Sequence, residues 1–228
     1  MHRPSSRRLV AAAIPLALVL AVAQLAAQQP TAADSHAGAR APGGSQAASP
    51  ANPAAKPGYT KADVEFMQHM IGHHAQALAM TAMVPDRTTN EAMHHLAQRI
   101  EVSQRDEIAL MRHWLEARGQ VAPDPANAPE HHAMGHGATV MLMPGMLTSA
   151  ELSRLAAAKG AEFDRMFLEF MIRHHEGALT MVASLFATPG AGQEAEVFRF
   201  ASDVDTDQRA EIARMRTLLN TMARSQHP

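Results

Sequence analysis

The segment DVEFMQHMIGHHAQALAM, Asp63 to Met80, returns as DRMFLEFMIRHHEGALTM, Asp164 to Met181, with nine identities in 18 positions. The stretches that follow repeat as well: Gln104, Arg105, Glu107, Ile108, Ala109 and Met111 match Gln208, Arg209, Glu211, Ile212, Ala213 and Met215. Apolar residues recur at helical spacing in both members, so the repeated unit reads as a helical hairpin. One hairpin cannot bury its own apolar face. Two copies predict an all-α fold, an antiparallel four-helix bundle with an approximate internal two-fold on which equivalent residues converge.

Local signals place the boundaries. Thr60 to Asp63 resembles a capping box, and an amphipathic run follows to Val84, where Pro85 stops it. Thr88 to Glu91 reads as a second start, with Leu96, Ile100, Ile108, Met111 and Leu115 keeping helical spacing until Gly119. Hairpin one is thus residues 59–118 and the connection 119–160. Within that connection Thr148 to Glu151 opens a short helix ending near Gly160. Hairpin two, 161–224, has helices over Ala161 to about Phe186 and about Gln193 to Ala223, parted by TPGAG.

Ahead of this bundle domain, 59–224, residues 1–27 carry a basic head (Arg3, Arg7, Arg8), an apolar run and a small-residue exit, which read as a secretory signal. An uncleaved anchor is the competing reading, and the sole membrane contact expected. Residues 28–58, rich in Ala, Pro, Gly and Ser, form a flexible linker. Without the three signal arginines the chain has 17 Lys plus Arg against 22 Asp plus Glu, a net charge of −5 that calls for no nucleic acid. A periplasmic or secreted location follows.

The chain has 14 His, 16 Met and no Cys, which excludes disulfides, thiolate metal sites and thiol catalysis. In each copy a histidine doublet, His73–His74 or His174–His175, lies between methionines. Successive residues on a helix are about 100° apart, so a doublet cannot aim both rings at one core centre. His74 shares a face with Met67, Met70 and Thr81, while His73 lies beside Met70, His69 and Met80. Ala77 and Ala178, three or four residues after the rings, leave lateral room for an imidazole or an ion.

Buried imidazoles need partners, since an unpaired buried polar group costs on the order of 1 to 3 kcal/mol. Either metal coordination or a polar network meets that need. Imidazole and thioether together favour soft monovalent copper or silver over hard cations. The expected ligands are Met70, His73, His74, Met80 and Met111 with Met171, His174, His175, Met181 and Met215, with His74 and His175 foremost. Gln104, Glu107, Gln208 and Glu211 are placed to accept the second ring N–H of each histidine. Exchanging His74 and His175 together for Ala is expected to abolish the tightest site and leave helicity largely intact. Coordination needs neutral imidazole, so binding is expected to weaken below about pH 6.5. A secondary His and Met loop, His131, His132, Met134, His136, Met141, Met143 and Met146, is a weaker candidate, whose competing reading is a solvated loop with Met146 and Leu147 docked on the bundle. Met93, His94 and His95 form a third, less specific group.

MIGHHAQALAM, MIRHHEGALTM and MPGMLTSAELSRLAAAKGAEFDRMFLEFM resemble the motifs of the family called domain of unknown function 305, over about Tyr59 to Met222. The resemblance implies a ferritin-like helical bundle and an exported copper-binding protein using Met70, His73, His74, Met171, His174 and His175. Where many relatives place proline before the doublet this chain has Gly72 and Arg173, so a more regular helix is expected.

Two other classes remain. A ferritin-like di-metal redox enzyme wants two Glu-x-x-His motifs, but Glu91-x-x-His94 stands alone and its counterpart is Ala195 to Phe198. A metal-free helical interaction module is the other. No Ser/His/Asp set, phosphate loop or HExxH motif supplies a catalytic residue. The favoured reading is a carrier that buffers, sequesters or transfers copper, as Cu(I), with Ag(I) as an alternative cargo and a copper transporter as a possible recipient.

Overall fold

The computed structural model describes residues 58–126 and 142–225. Among them are six helices: α1 (Lys61–Thr81), α2 (Val84–Arg87), α3 (Glu91–Ala117), α4 (Ser149–Ala157), α5 (Gly160–Ala187) and α6 (Ala195–Ser225). The signal and linker readings, and His131, His132, Met134, His136 and Met141, lie outside the described residues. No described helix is long and apolar enough to cross a membrane.

The caps explain most boundaries. Thr60 caps α1 through a reciprocal box with Asp63, and Thr148 caps α4 in the same way with Glu151. The first long helix differs from expectation: it ends at Thr81, and Pro85 opens the separate one-turn α2 rather than stopping a run to Val84. Proline lacks only an N–H that a first turn leaves unbonded, so it starts a helix as readily as it ends one. The cap of α3 is Asn90, which accepts from the Ala92 N–H, while the Thr88 hydroxyl accepts from Asn90. α1 and α5 run unbroken through Gly72 and Arg173.

α1 packs on α3, α5 on α6, and α1 on α5, while α3 and α6 scarcely touch. The apolar core falls into two clusters. One joins Phe66, Met67, Met70 and Ile71 of α1 to the C-terminal half of α3, the C-terminal half of α5 and the start of α6. The other joins Ala77 and Met80 to the start of α3, to Phe163, Phe167 and Met171 of α5, and to Ile212 and Met215 of α6. The early part of α1 therefore lies beside the late part of α5, so the two copies run antiparallel about a two-fold crossing the helices.

That axis corrects the expectation that all equivalent residues converge. Met70 and Met171 go to opposite clusters, as do Met111 and Met215. Only residues midway along α1 and α5 can meet their counterparts. The duplicated aspartates show the same operation at the ends. Asp63 accepts from the backbone N–H of Gly192 at 2.6 Å, in the turn of the other hairpin, and Asp164 accepts from the Asn90 side chain at 2.9 Å. Each carboxylate fastens one hairpin to the turn of the other.

Candidate metal centre

Between the apolar clusters lies a polar layer. His73, His74, His174 and His175 are each at most 1% exposed, and Gln104, Glu107, Gln208 and Glu211 are buried with them. His73 and His174 meet at the two-fold, ring centroids 3.9 Å apart, whereas each lies more than 6 Å from its sequence neighbour: 6.5 Å for His73 to His74 and 6.2 Å for His174 to His175. The 100° step is thus resolved by assigning one ring of each doublet to the axis and the other to its own hairpin.

The hairpin-facing rings are held by carboxylates. His74 Nε2 donates to Glu107 Oε2, and His175 Nε2 donates to Glu211 Oε2 at 2.5 Å. Ser103 also donates to Glu107, at 3.0 Å. Burial alone would raise the Glu107 carboxyl, but the adjoining His74 ring and the hydrogen bonds from His74 and Ser103 hold it below its ordinary value. The glutamines behave differently from the expectation that they too accept ring N–H groups. Both amide atoms of Gln104 and the Oε1 of Gln208 are buried with no hydrogen-bond partner in the protein.

The axial rings are neutral by burial. Removal from water, aided by the neighbouring His74 and His175, lowers His73 to about 3, the Pro144 carbonyl opposing it. His174 is lowered well below its ordinary value by burial and then by the other three imidazoles. An unperturbed titration near 6.5 therefore does not apply to these two rings. Nδ1 of His73, His74 and His175 and Nε2 of His174 are buried without a hydrogen-bond partner in the protein.

A strap crosses the axial pair on the α1/α5 face. His73 Nε2 donates to the Pro144 carbonyl at 2.9 Å. Gln76 grips Leu147 twice, donating to its carbonyl at 3.0 Å and accepting from its N–H at 2.7 Å. Gly177 is where a Cβ would stand 2.0 Å from the Pro144 oxygen, and Gly145 where one would stand 2.4 Å from the Arg173 oxygen, so both must lack side chains for the strap to lie down. Met143 and Met146 are buried with it, and Leu147 joins the second core cluster.

The remaining candidates sort by cluster. Met70 and Met111, with half-buried Met181 against them, lie on one side of the imidazole layer, and Met80, Met171 and Met215 on the other. Met93 is core, His94 donates to the Thr88 carbonyl at 2.8 Å and His95 is exposed. Glu91 is exposed at the start of α3, so the lone Glu-x-x-His stands outside the polar layer. Gln76, Gly145 and Gly177 escaped the sequence reading. Their signal was a mismatch: Gln76 and Gly177 occupy equivalent positions of the two copies.

The sequence matches the domain of unknown function 305 over residues 63–219. The chain belongs to that family. Among solved DUF305 structures, a fragment from Deinococcus radiodurans is 34% identical, covering 72% of this chain and 99% of that one, with a TM-score of 0.61. A Streptomyces coelicolor DUF305 protein, whose name marks its secretion as predicted, is 28% identical over 71% of this chain and 94% of its own, TM-score 0.59. CopM in its Cu(II)-bound form is 26% identical over 70% and 96%, TM-score 0.54, and it is also known in Cu(I)- and Ag-bound forms. No curated protein matches the chain.

Proposed function

We propose that this DUF305 protein is an exported carrier that binds monovalent copper, or silver in its place, at the histidine layer, and buffers or hands on the ion without turnover. The observation that carries the reading is the axial pair: two neutral imidazoles in ring contact, each with a buried nitrogen that no protein group partners. An ion accepting those lone pairs offsets the cost of burying them, about 1 to 3 kcal/mol for each unpaired group.

The donor set favours a soft cargo. Among the described residues no three His, Asp or Glu side chains group as a ready cage. Thioethers stand on both sides: Met70 and Met171 each precede an axial histidine by three residues, one helical turn away on the same face. Thiophilic, monovalent ions accept that mixture, and hard divalent ones do not. His74 and His175 take part through their Nδ1 atoms while Glu107 and Glu211 fix their rings. Similarity to CopM, which binds copper and silver, supports the same class of cargo here. The di-metal oxidase reading loses its one motif, because Glu91 and His94 lie away from the layer.

Anaerobic titration with Cu(I) against a chromophoric competing chelator tests this. The double variant His73→Gln/His174→Gln is expected to lose at least a hundredfold in affinity with its helical circular dichroism retained. Unchanged affinity and stoichiometry would overturn the assignment.

A further inference from the structure

All four histidines are sealed from solvent, so an ion needs a way in. On the α1/α5 face the strap closes over His73. On the opposite face a groove runs between α3 and α6. Its middle is a pocket of about 350 Å3 lined by Asp106, Glu107, Asp203 and Asp207 together with Leu110 and Phe200, and none of its lining residues is basic. Glu107 is at once a wall of this pocket and the hydrogen-bond partner of His74. In the adjoining pocket, of about 440 Å3, Asp207 stands with Glu211, the partner of His175, and with Arg99 and Arg214. The two glutamates are therefore the members of the polar layer that border open space.

Two further observations point inward from this throat. Gln104 and Gln208, 1% and 2% exposed, precede Glu107 and Glu211 by three residues and so share their helix faces. Their buried amide oxygens have no protein partner. They are unpaired buried acceptors one helical turn from the two carboxylates. The field in the throat is negative as well: burial, then Glu107, Glu211 and Asp203, raise the Asp207 carboxyl above its ordinary value, against Arg214.

We propose that the acidic throat between α3 and α6 is the route by which a monovalent metal cation reaches the histidine layer. Asp106, Asp203 and Asp207 draw the ion in, and Glu107 and Glu211 pass it to the imidazoles. The proposal rests on the copper reading above and adds where the ion travels. The Glu107 pocket carries no basic side chain, whereas Arg99 and Arg214 stand beside Glu211, so the Glu107 side is the entrance. A cleft lined by one sign of charge raises the on-rate of an oppositely charged ligand by roughly 10- to 1,000-fold at low salt. Carboxylate oxygen holds a soft cation weakly, so the ion is attracted without being trapped and moves on to nitrogen and sulfur. No electron is transferred on this route.

The test is the rate of Cu(I) loading, followed anaerobically by stopped flow, in the triple variant Asp106→Asn/Asp203→Asn/Asp207→Asn. All three side chains are exposed and the replacements isosteric, so folding is preserved. The expected result is an on-rate at least tenfold slower at low salt, with equilibrium affinity and stoichiometry within twofold. The unaltered protein should slow with added salt and the variant should not. A control removing equal charge elsewhere, Glu91→Gln/Glu162→Gln/Glu169→Gln, should change the rate less than twofold. Equal rates for variant and unaltered protein, or equal losses in variant and control, would overturn the route while leaving the copper reading intact. No uptake by the unaltered protein would overturn both.

Discussion

The contact between the strap and α5 can be tested with one methyl group. Gly177 lies inside a helix, where Ala is intrinsically more favourable by about 1 kcal/mol. In the folded protein, however, a Cβ at 177 would stand 2.0 Å from the Pro144 oxygen, 2.5 Å from its carbonyl carbon and 2.7 Å from the Gly145 Cα. These are backbone atoms, so no side-chain rotation relieves the clash. The strap must lift. Lifting it breaks the His73 bond to Pro144 and both bonds between Gln76 and Leu147. At about 1 kcal/mol for each hydrogen bond the loss is about 3 kcal/mol, and the helix gain brings the net to about 2 kcal/mol. With a urea slope of about 2 kcal/mol per molar, the midpoint of Gly177→Ala should fall by about 1 M. Equilibrium urea unfolding followed by circular dichroism measures it. A midpoint equal to or above that of the unaltered protein would refute the docked strap, because the intrinsic preference for Ala would then stand unopposed.

The metal-free protein should lose stability on acidification between pH 6.5 and about 3, the window in which the unfolded His73 takes up a proton and the folded one does not. Each such histidine contributes up to about 1.4 kcal/mol per pH unit, and His174 acts in the same direction. Glu107, held below its ordinary value, adds stability that is lost as pH falls through its folded pKa. Urea midpoints taken from pH 7 to 4 check the sign, and a flat profile from 7 to 5 would contradict it. His73 is already deprotonated between pH 7 and 5, so it adds no pH dependence to Cu(I) affinity there, and His73→Gln should leave the slope of affinity against pH unchanged; a slope that flattens in that variant would oppose an axial site. Exchanging Met70 and Met171 together for Leu should shift stability by less than about 1.5 kcal/mol per site, since the two side chains are near isosteres, yet lower Ag(I) affinity measurably in a competition titration. The expectation for His74→Ala/His175→Ala, helices largely intact without denaturant, can be sharpened. Losing those rings strands Glu107 and Glu211 as buried carboxylates, so the double variant should unfold at lower urea than His73→Gln/His174→Gln.

The duplicated motif determined the all-α class, the two hairpins and the residues of the polar layer, and separate local signals determined the helix caps at Thr60 and Thr148, because helical periodicity and capping are written in adjacent side chains. It also named both histidine doublets. It left open which ring of each doublet faces its twin, since that depends on how α1 and α5 cross, and the tertiary structure gave the axis to His73 and His174. Direction in the bundle decided the methionines too: antiparallel copies send Met70 and Met171 to opposite sides of the imidazole layer, which no alignment of the copies reveals. The strap is the clearest case. Gln76 and Gly177 are equivalent in sequence yet opposite in role, one reaching out to hold Leu147 and the other shrinking to admit Pro144. A single chain crossing a two-fold axis meets two different neighbours, so the symmetry written in the sequence has to fail there, and only the folded contacts show how.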